Sequence, residues 1–405
     1  MIKKIKVEQL KPGMFVHNIN CSWLDHPFLK SNVMLNSDKM IRKIIDIGIR
    51  EVHIDTRRGL DIDEVQAVEE LQQDISSELM EVAEGEREVF NRISLQEELE
   101  QAKEIKREAK QLIKNIMEDL RYGKQLELER ADNLIEKMIN SIFRNSDALL
   151  GISRIKKVDE YTFMHSVSVC ALMISYCRQL SFDPEVIRKV GIGALLHDIG
   201  KVRTPLDILN KNTPLSAGES EIIKKHVEHG CNILSQTSGI TQTSMLVVAE
   251  HHERYDGTGY PKGLKGEEIS IFGQMAGIAD VYDALTSDRP YRKRLEPSEA
   301  LKRILNWDKF NFNEEMVHQF IRCVGIYPIG SLVRLESGLL GVVIEQGTKD
   351  LLHPVVQVVY DPKRRGLIEP YIINLSELKV KHEDSIICHE SPEKWDINPH
   401  GFLED

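Results

Sequence analysis

Residues 190–201 read Val-Gly-Ile-Gly-Ala-Leu-Leu-His-Asp-Ile-Gly-Lys. The apolar pattern of Val190, Ile192, Ala194, Leu195 and Leu196 predicts a buried helix that runs straight into His197 and Asp198, and Gly200 permits the helix to end there. Adjacent helix residues point about 100° apart, so the pair can address one centre only near a helix end. An Asp in that place can bridge two cations through its two oxygens, while a neutral imidazole binds one of them. A lone His-Asp pair carries little weight; the residues that accompany this one supply it.

Six of the 14 histidines, His165, His197, His226, His229, His251 and His252, fall between residues 165 and 252. His165 lies on a predicted helix over Thr162–Leu180, where a single histidine is ordinarily a core residue. His226 and His229 are spaced i, i+3 behind Lys224-Lys225, and His226 is the one we assign to the site. His251-His252 closes the apolar stretch Met245–Ala249 and opens His-His-Glu-Arg-Tyr-Asp-Gly-Thr-Gly-Tyr-Pro, residues 251–261. Asp280 and, one turn on, Asp283 interrupt an apolar helix pattern over Met275–Leu285. Buried carboxylates are costly unless paired or metal-bound, so a cation is a reasonable partner for them.

Imidazoles and carboxylates without thiolate suit iron, manganese, zinc or nickel, often in a two-metal site. Two metals can hold a phosphodiester, acidify a bridging water and stabilise both attacking and leaving oxygens, so the set reads as phosphoester hydrolysis. Arg289, Arg292, Lys293 and Arg294 form a local cationic group suited to an anion, and Lys201 is placed to hold a phosphate oxygen as a point charge.

Outward from this core the chain divides by texture. Residues 1–62 mix short β-like pieces (Ile5–Val7, Met14–Ile19, Val52–Ile54) with a helix pattern near Lys39–Ile47, a small α+β domain. Residues 63–122 form a charged helical connector. Within it Ala102, Ile105, Ala109, Leu112, Ile113, Ile116 and Leu120 make one apolar face, solvated on the opposite side or offered to a second copy in a homodimer. Residues 123–324 are helical and hold the chemistry. Residues 325–390 carry β-branched runs between Gly and Pro, a small β-rich module of barrel or sandwich type, and residues 391–405 read as a tail. The fold class is mainly α.

The 405 residues carry 53 Lys+Arg against 64 Asp+Glu, a net charge of −11, which argues against a general DNA, RNA or membrane-surface binder. There is no run of 18 apolar residues, so no membrane insertion is expected, and the basic start lacks the apolar stretch of a secretory signal. Six scattered cysteines without C-x-x-C read as reduced thiols of a cytoplasmic protein.

Three segments, H-D-I-G-K at 197–201, H-H-E-R-Y-D-G-T-G-Y-P at 251–261 and A-D-V-Y-D-A-L-T-S-D-R-P-Y-R at 279–292, resemble the HD-GYP family, a branch of the HD phosphohydrolases, in order and spacing. The resemblance implies an all-helical catalytic core in a bacterial, cytoplasmic enzyme. It further implies hydrolysis of cyclic di-GMP to linear pGpG or GMP through a metal-bound hydroxide. Two divalent metals are implied, iron or manganese first, with nickel, cobalt, zinc or magnesium as alternatives. By resemblance, His197, Asp198, His226, His251, His252 and Asp280 match the ligands, with Asp198 bridging, and His165 matches an upstream histidine. Lys201 matches a phosphate-contacting lysine. Gly259, Tyr260 and Pro261 match the loop beside the substrate, and Asp159, Arg289 and Arg292 match positions suited to guanine and phosphate.

One departure stands out: members with three metals use a glutamate where this chain has Tyr161, so a dinuclear site is expected. The N-terminal segment, with Leu10-Lys-Pro-Gly-Met-Phe-Val, is similar to a small domain often found before HD-GYP domains. The alternative reading is a catalytically weak cyclic di-GMP receptor that signals to a protein partner, a diguanylate cyclase or an adaptor.

Overall fold

A computed structural model describes the chain apart from residues 1, 20–32, 36, 47–48, 57, 60–67, 85–91, 155–160, 212, 214, 289–293, 348–349, 378–383 and 404–405. It forms two compact units, Met1–Leu79 with Asn210–Glu221, and Met80–Leu209 with Ile222–Asp405.

The first unit contains β1 (Ile2–Lys6), β2 (Phe15–Ile19), β3 (Val33–Met34), α1 (Asp38–Asp46) and β4 (Glu51–Asp55). The strands form an antiparallel sheet in the order β1-β4-β2-β3. Val52 and Ile54 of β4 pack with Ile5, Val16, Leu35 and Ile44 in one core, which makes this the α+β module that the short apolar pieces predict. The helix α2 (Val68–Glu84) follows.

The second unit begins with α3 (Leu95–Arg121), α4 (Leu128–Arg144), α5 (Ser146–Ser153), α6 (Tyr161–Gln179) and α7 (Pro184–Leu195). A 3-10 turn (Ile199–Arg203), α8 (Leu206–Leu209), α10 (His226–Ser235), α11 (Gln242–Glu250), α12 (Ile271–Thr286), α13 (Pro297–Asn311) and α14 (Glu314–Val324) come next, and α9 (Ala217–Lys224) is divided, its residues up to Glu221 counted with the first unit. Local signals start them. Ser94 and Glu97 form a capping box at α3, Asp183 and Pro184 open α7, and Ser270 caps α12 through Gly273 N–H. The helix α6 packs on α7, α7 on α11, α11 on α12 and α12 back on α6, so the four close a ring.

The apolar face of α3 is not left for another chain. Ala102, Ile105, Ala109, Ile113, Ile116 and Leu120 are buried, and the helix packs on α4, α5 and α6. The buried carboxylate of Glu98 accepts from Arg144 Nε at 2.6 Å and Nη2 at 2.7 Å, which ties α3 to α4. The expectation of a separate connector, with this stripe as a dimer face in the alternative reading, is therefore corrected: the stripe is core of the helical body, covered within its own chain.

Strands β5 (Leu332–Leu335), β6 (Leu340–Glu345), β7 (Val355–Asp361), β8 (Gly366–Asn374) and β9 (Ile386–His389) form one antiparallel sheet, order β8-β7-β6-β5-β9. The last residues are not a loose tail. A short helix α15 (Pro392–Trp395) and a 3-10 turn (Pro399–Leu403) bring Ile397 and Leu403 into one core with Leu332, Leu340, Val342 and Val359. Among the described residues, no helix is long and apolar enough to cross a membrane.

Candidate metal centre

The ring of four helices delivers one part of the site each. His165 stands on α6, His197 and Asp198 just past the end of α7, His251 and His252 just past the end of α11, and Asp280 and Asp283 on α12. His226 opens α10, which lies against the 3-10 turn that follows Asp198. That approach depends on Gly200: a Cβ there would run into the carbonyl of His226 and the amide of Gly230.

Every one of these side chains is buried; His197, His226 and His251 are each 1% exposed. The imidazole rings touch edge to face or tilted, with centroids 5.2 Å apart for His165–His197, 4.9 Å for His197–His251, 5.1 Å for His226–His252 and 4.1 Å for His251–His252. The two oxygens of Asp198 divide between neighbours. Its Oδ1 lies 3.3 Å from His226 Nε2, and its Oδ2 lies 3.4 Å from His197 Nε2 and 3.7 Å from His165 Nε2. Asp280 places Oδ1 at 3.0 Å from His165 Nε2 and Oδ2 at 3.7 Å from His252 Nδ1. Donor atoms fall within metal-sharing distance in three overlapping groups: His226, His251 and His252; His165, His197 and Asp280; and His197, Asp198 and His251.

The back of each ring fixes its front. Nδ1 of His197 donates to the Ala194 carbonyl at 2.8 Å, Nδ1 of His226 to Ile223 at 2.7 Å, and Nδ1 of His251 to Val248 at 2.8 Å. A carbonyl only accepts, so the proton sits on Nδ1 and the Nε2 lone pair faces inward. These carbonyls belong to the last turns of α7, α9 and α11, where intrahelical partners run out and the helix dipole is negative. Three helix C-termini thus meet around the cluster and favour positive charge in it. His165 is anchored differently: its Nδ1 lies 2.6 Å from Asp283 Oδ2.

The electrostatics agree with this geometry. Burial disfavours the imidazolium, pushing His226 down to about 4 and His251 and His252 well below the ordinary imidazole range. Burial acts on His197 too, but Asp198 and Asp280 beside it lift it above the ordinary value. Burial would raise both aspartates; Lys201 and His197 hold Asp198 well down instead, and His165 and His252 do so for Asp280. His197 Nε2 and Asp198 Oδ1 are buried and make no hydrogen bond among the described residues. Buried inward-facing atoms of this kind, in an all-nitrogen and oxygen donor set, fit a cluster of divalent cations.

Around the cluster, Tyr260 stacks on His252 with centroids 4.6 Å apart, and Lys224 stands over the Tyr260 ring. The loop that presents it is held by Glu253, whose carboxylate accepts from the amides of Lys262 and Leu264. Gly259 in that loop lies so close to the backbone of Glu253 and Arg254 that no side chain fits. Lys201 bonds Asp198 Oδ2 at 2.5 Å, so here it serves the carboxylate before any phosphate. The remaining expected contacts, Asp159, Arg289 and Arg292, lie outside the described residues. Asp283, the second acid of the same apolar helix, lies outside the ligand set that the sequence suggests; its i+3 spacing from Asp280 is the signal that places it beside the site.

A family model described as an HD domain matches residues 137–309, and one described as a domain of unknown function, DUF3391, matches residues 2–131. The chain is 38% identical to a cyclic di-GMP phosphodiesterase of Pseudomonas aeruginosa over 98% of its own length and 94% of that protein. It is 34% identical to a cyclic di-GMP phosphodiesterase of Thermotoga maritima over 47% of this chain and 53% of that one. It is 35% identical to a 3'3'-cGAMP-specific phosphodiesterase of Vibrio cholerae over 38% of this chain and 36% of that one. With its H-D and G-Y-P segments meeting at one histidine and aspartate cluster, the chain belongs to the HD-GYP family of HD-domain phosphohydrolases.

Proposed function

We propose that this protein hydrolyses cyclic di-GMP in a metal-dependent reaction, to linear pGpG or on to GMP, in the bacterial cytoplasm. What carries the reading is the convergence of five histidines and two aspartates in one buried cluster, four of the rings held from behind at Nδ1. In this reading His165, His197 and Asp280 would hold one cation and His226, His251 and His252 a second, with Asp198 placed between the two groups so that it could serve both. Iron or manganese suits the donor set best, and nickel, cobalt, zinc or magnesium are the alternatives. When bound, two such cations supply Lewis-acid polarisation of a phosphodiester and acidification of water.

The chain's own residues do the rest. The four anchored rings keep their Nε2 atoms inward, so none of these four has to reorient when substrate arrives. Lys201 neutralises Asp198 at rest, and its ammonium would hold a phosphate oxygen of the substrate as a point charge. Tyr260, packed on His252, makes one wall beside the cluster, and the loop around Gly259 sets its position. Asp159, Arg289 and Arg292 are assigned to the guanine and phosphate groups. A diguanylate cyclase or an adaptor is the protein partner this activity would have.

The test is a chromatographic assay of purified protein with cyclic di-GMP and added Mn²⁺ or Fe²⁺, run beside 3'3'-cGAMP. Turnover of cyclic di-GMP that is abolished by His197→Ala with Asp198→Ala supports the assignment. Turnover that survives the double substitution refutes it. Tight binding without turnover under reducing, metal-replete conditions selects the receptor reading, and faster turnover of 3'3'-cGAMP changes the substrate.

A further inference from the structure

Of the five histidines in the cluster, four are anchored at Nδ1. His165 bonds Asp283, and His197, His226 and His251 each bond a carbonyl three residues back. His252 has no such anchor among the described residues: its Nδ1 stands 3.7 Å from Asp280 Oδ2, past hydrogen-bond reach. The ring is packed instead, with the Tyr260 centroid at 4.6 Å and the His251 centroid at 4.1 Å. Stacking restrains the plane of a ring more than its place within that plane, so the position of the His252 nitrogens follows from the backbone that carries them.

That backbone leaves the end of α11, where the carbonyls of His251, His252 and Glu253 lie beyond the helical ladder. Each finds a donor close by. Tyr260 N–H donates to the His252 carbonyl at 3.1 Å. Arg254 Nη1 donates to the carbonyls on either side, to His251 at 3.3 Å and to Glu253 at 2.8 Å. The guanidinium is itself seated: it lies over the buried Phe312 ring, 5.4 Å from the centroid. Gly277, one turn before Asp280 on α12, leaves it room, since a Cβ there would stand 3.3 Å from both Arg254 Nη1 and the His251 carbonyl. One half-buried side chain thus ties the His251-His252-Glu253 turn to α12 and to Phe312.

We propose that Arg254 is a positioning residue of the metal centre: by holding the carbonyls on either side of His252, it sets the place of that imidazole as a ligand. The inference rests on the reading of His226, His251 and His252 as the ligands of one cation. It does not depend on which cyclic dinucleotide the protein hydrolyses. The charge of Arg254 works the other way. Burial and His251 disfavour positive charge on His252, and Arg254 acts in the same direction. The two effects have opposite signs. A guanidinium that acts only as a neighbouring charge opposes a cation, so its removal tightens metal binding. A guanidinium that places a ligand favours the cation, so its removal loosens metal binding.

The test strips the full chain with chelator and titrates Mn²⁺ back, with free Mn²⁺ followed by electron paramagnetic resonance. The parent should take up two Mn²⁺ per chain. Arg254→Met keeps an unbranched stem against Phe312 and removes both the donors and the charge. It should hold one Mn²⁺ as the parent does and the other about tenfold more weakly, the lower end of what outer partners of metal-ligating histidines contribute. Gly277→Ala keeps Arg254 but makes its guanidinium give way, and should weaken the same cation by less. If Arg254→Met does not fold, Gly277→Ala decides. Parental or tighter binding by the deciding variant overturns the proposal and leaves the metal centre standing. Equal loss of both cations also overturns it, because the role would then be structural and not tied to His252. A parent chain that binds no Mn²⁺ refutes the centre itself, and the inference with it.

Discussion

Replacing Asp283 tests whether a residue without an assigned ligand role governs the metal centre. Its Oδ2 stands 2.6 Å from His165 Nδ1, and both side chains are 3% exposed. A buried hydrogen bond to a charged group contributes about 1.5–3 kcal/mol, which is roughly ten- to hundredfold in an equilibrium. Outer partners of metal-ligating histidines affect metal affinity or activity by about the same factor. Asp283→Asn keeps the volume and an accepting oxygen but loses the charge, so about a tenfold loss is expected; Asp283→Ala removes the acceptor and should approach a hundredfold. The assay strips the protein with chelator, titrates Mn²⁺ back, and records both the half-saturating concentration and the rate on cyclic di-GMP. Arg154 is half-buried nearby and loses a compensating charge in either variant, so melting temperatures are recorded alongside. Asp283→Ala with parental metal affinity and parental rate would refute the argument that this carboxylate orients His165.

Gly200→Ala should destabilise by about 1–3 kcal/mol or more and weaken metal binding, because its Cβ collides with the backbone of His226; an unchanged melting temperature would show that the turn can move aside. Chelation should lower the melting temperature, since it leaves Asp198 and Asp280 buried without a dication, and added Mn²⁺ should restore it; indifference to chelator would count against the centre. In the first unit, burial with Lys4 and His17 nearby pushes His53 from 6.5 down to about 4. The folded state therefore binds its proton later than the unfolded one, so the stability is fully present above pH 6.5 and is lost as pH falls toward 4, on the order of 3 kcal/mol. His53→Leu should flatten that part of the pH dependence in urea unfolding, and an equal slope in parent and variant would contradict it. Arg144→Met leaves Glu98 buried and unpaired and should cost about 2–3 kcal/mol, read as a shifted denaturation midpoint.

Much of the site was legible before any coordinates. Helical periodicity is local, so the apolar runs into His197-Asp198 and His251-His252 already implied helix ends carrying donors, and the preference for His226 over His229 agrees with the cluster, where His226 sits and His229 does not. The Nδ1 anchors were readable in principle too: each bonds a carbonyl three residues back, at the end of a helix whose last carbonyls lack partners. Other features had no local signature. The apolar stripe of α3 looks the same whether a second copy or α4, α5 and α6 covers it, and the last fifteen residues read as a tail because they carry no periodic pattern, although Ile397, Pro399 and Leu403 are buried among the described residues.

Sequence by itself determined the mainly helical class and the family, and it pointed to the histidines and aspartates that the fold gathers, because helix pattern and residue type are properties of short stretches. Only the tertiary structure decided that Asp283 backs His165 from 118 residues away and that Asp198 splits its oxygens between two histidine groups. Those are relations between distant segments, and they come from which apolar faces bury each other, which no single stretch encodes.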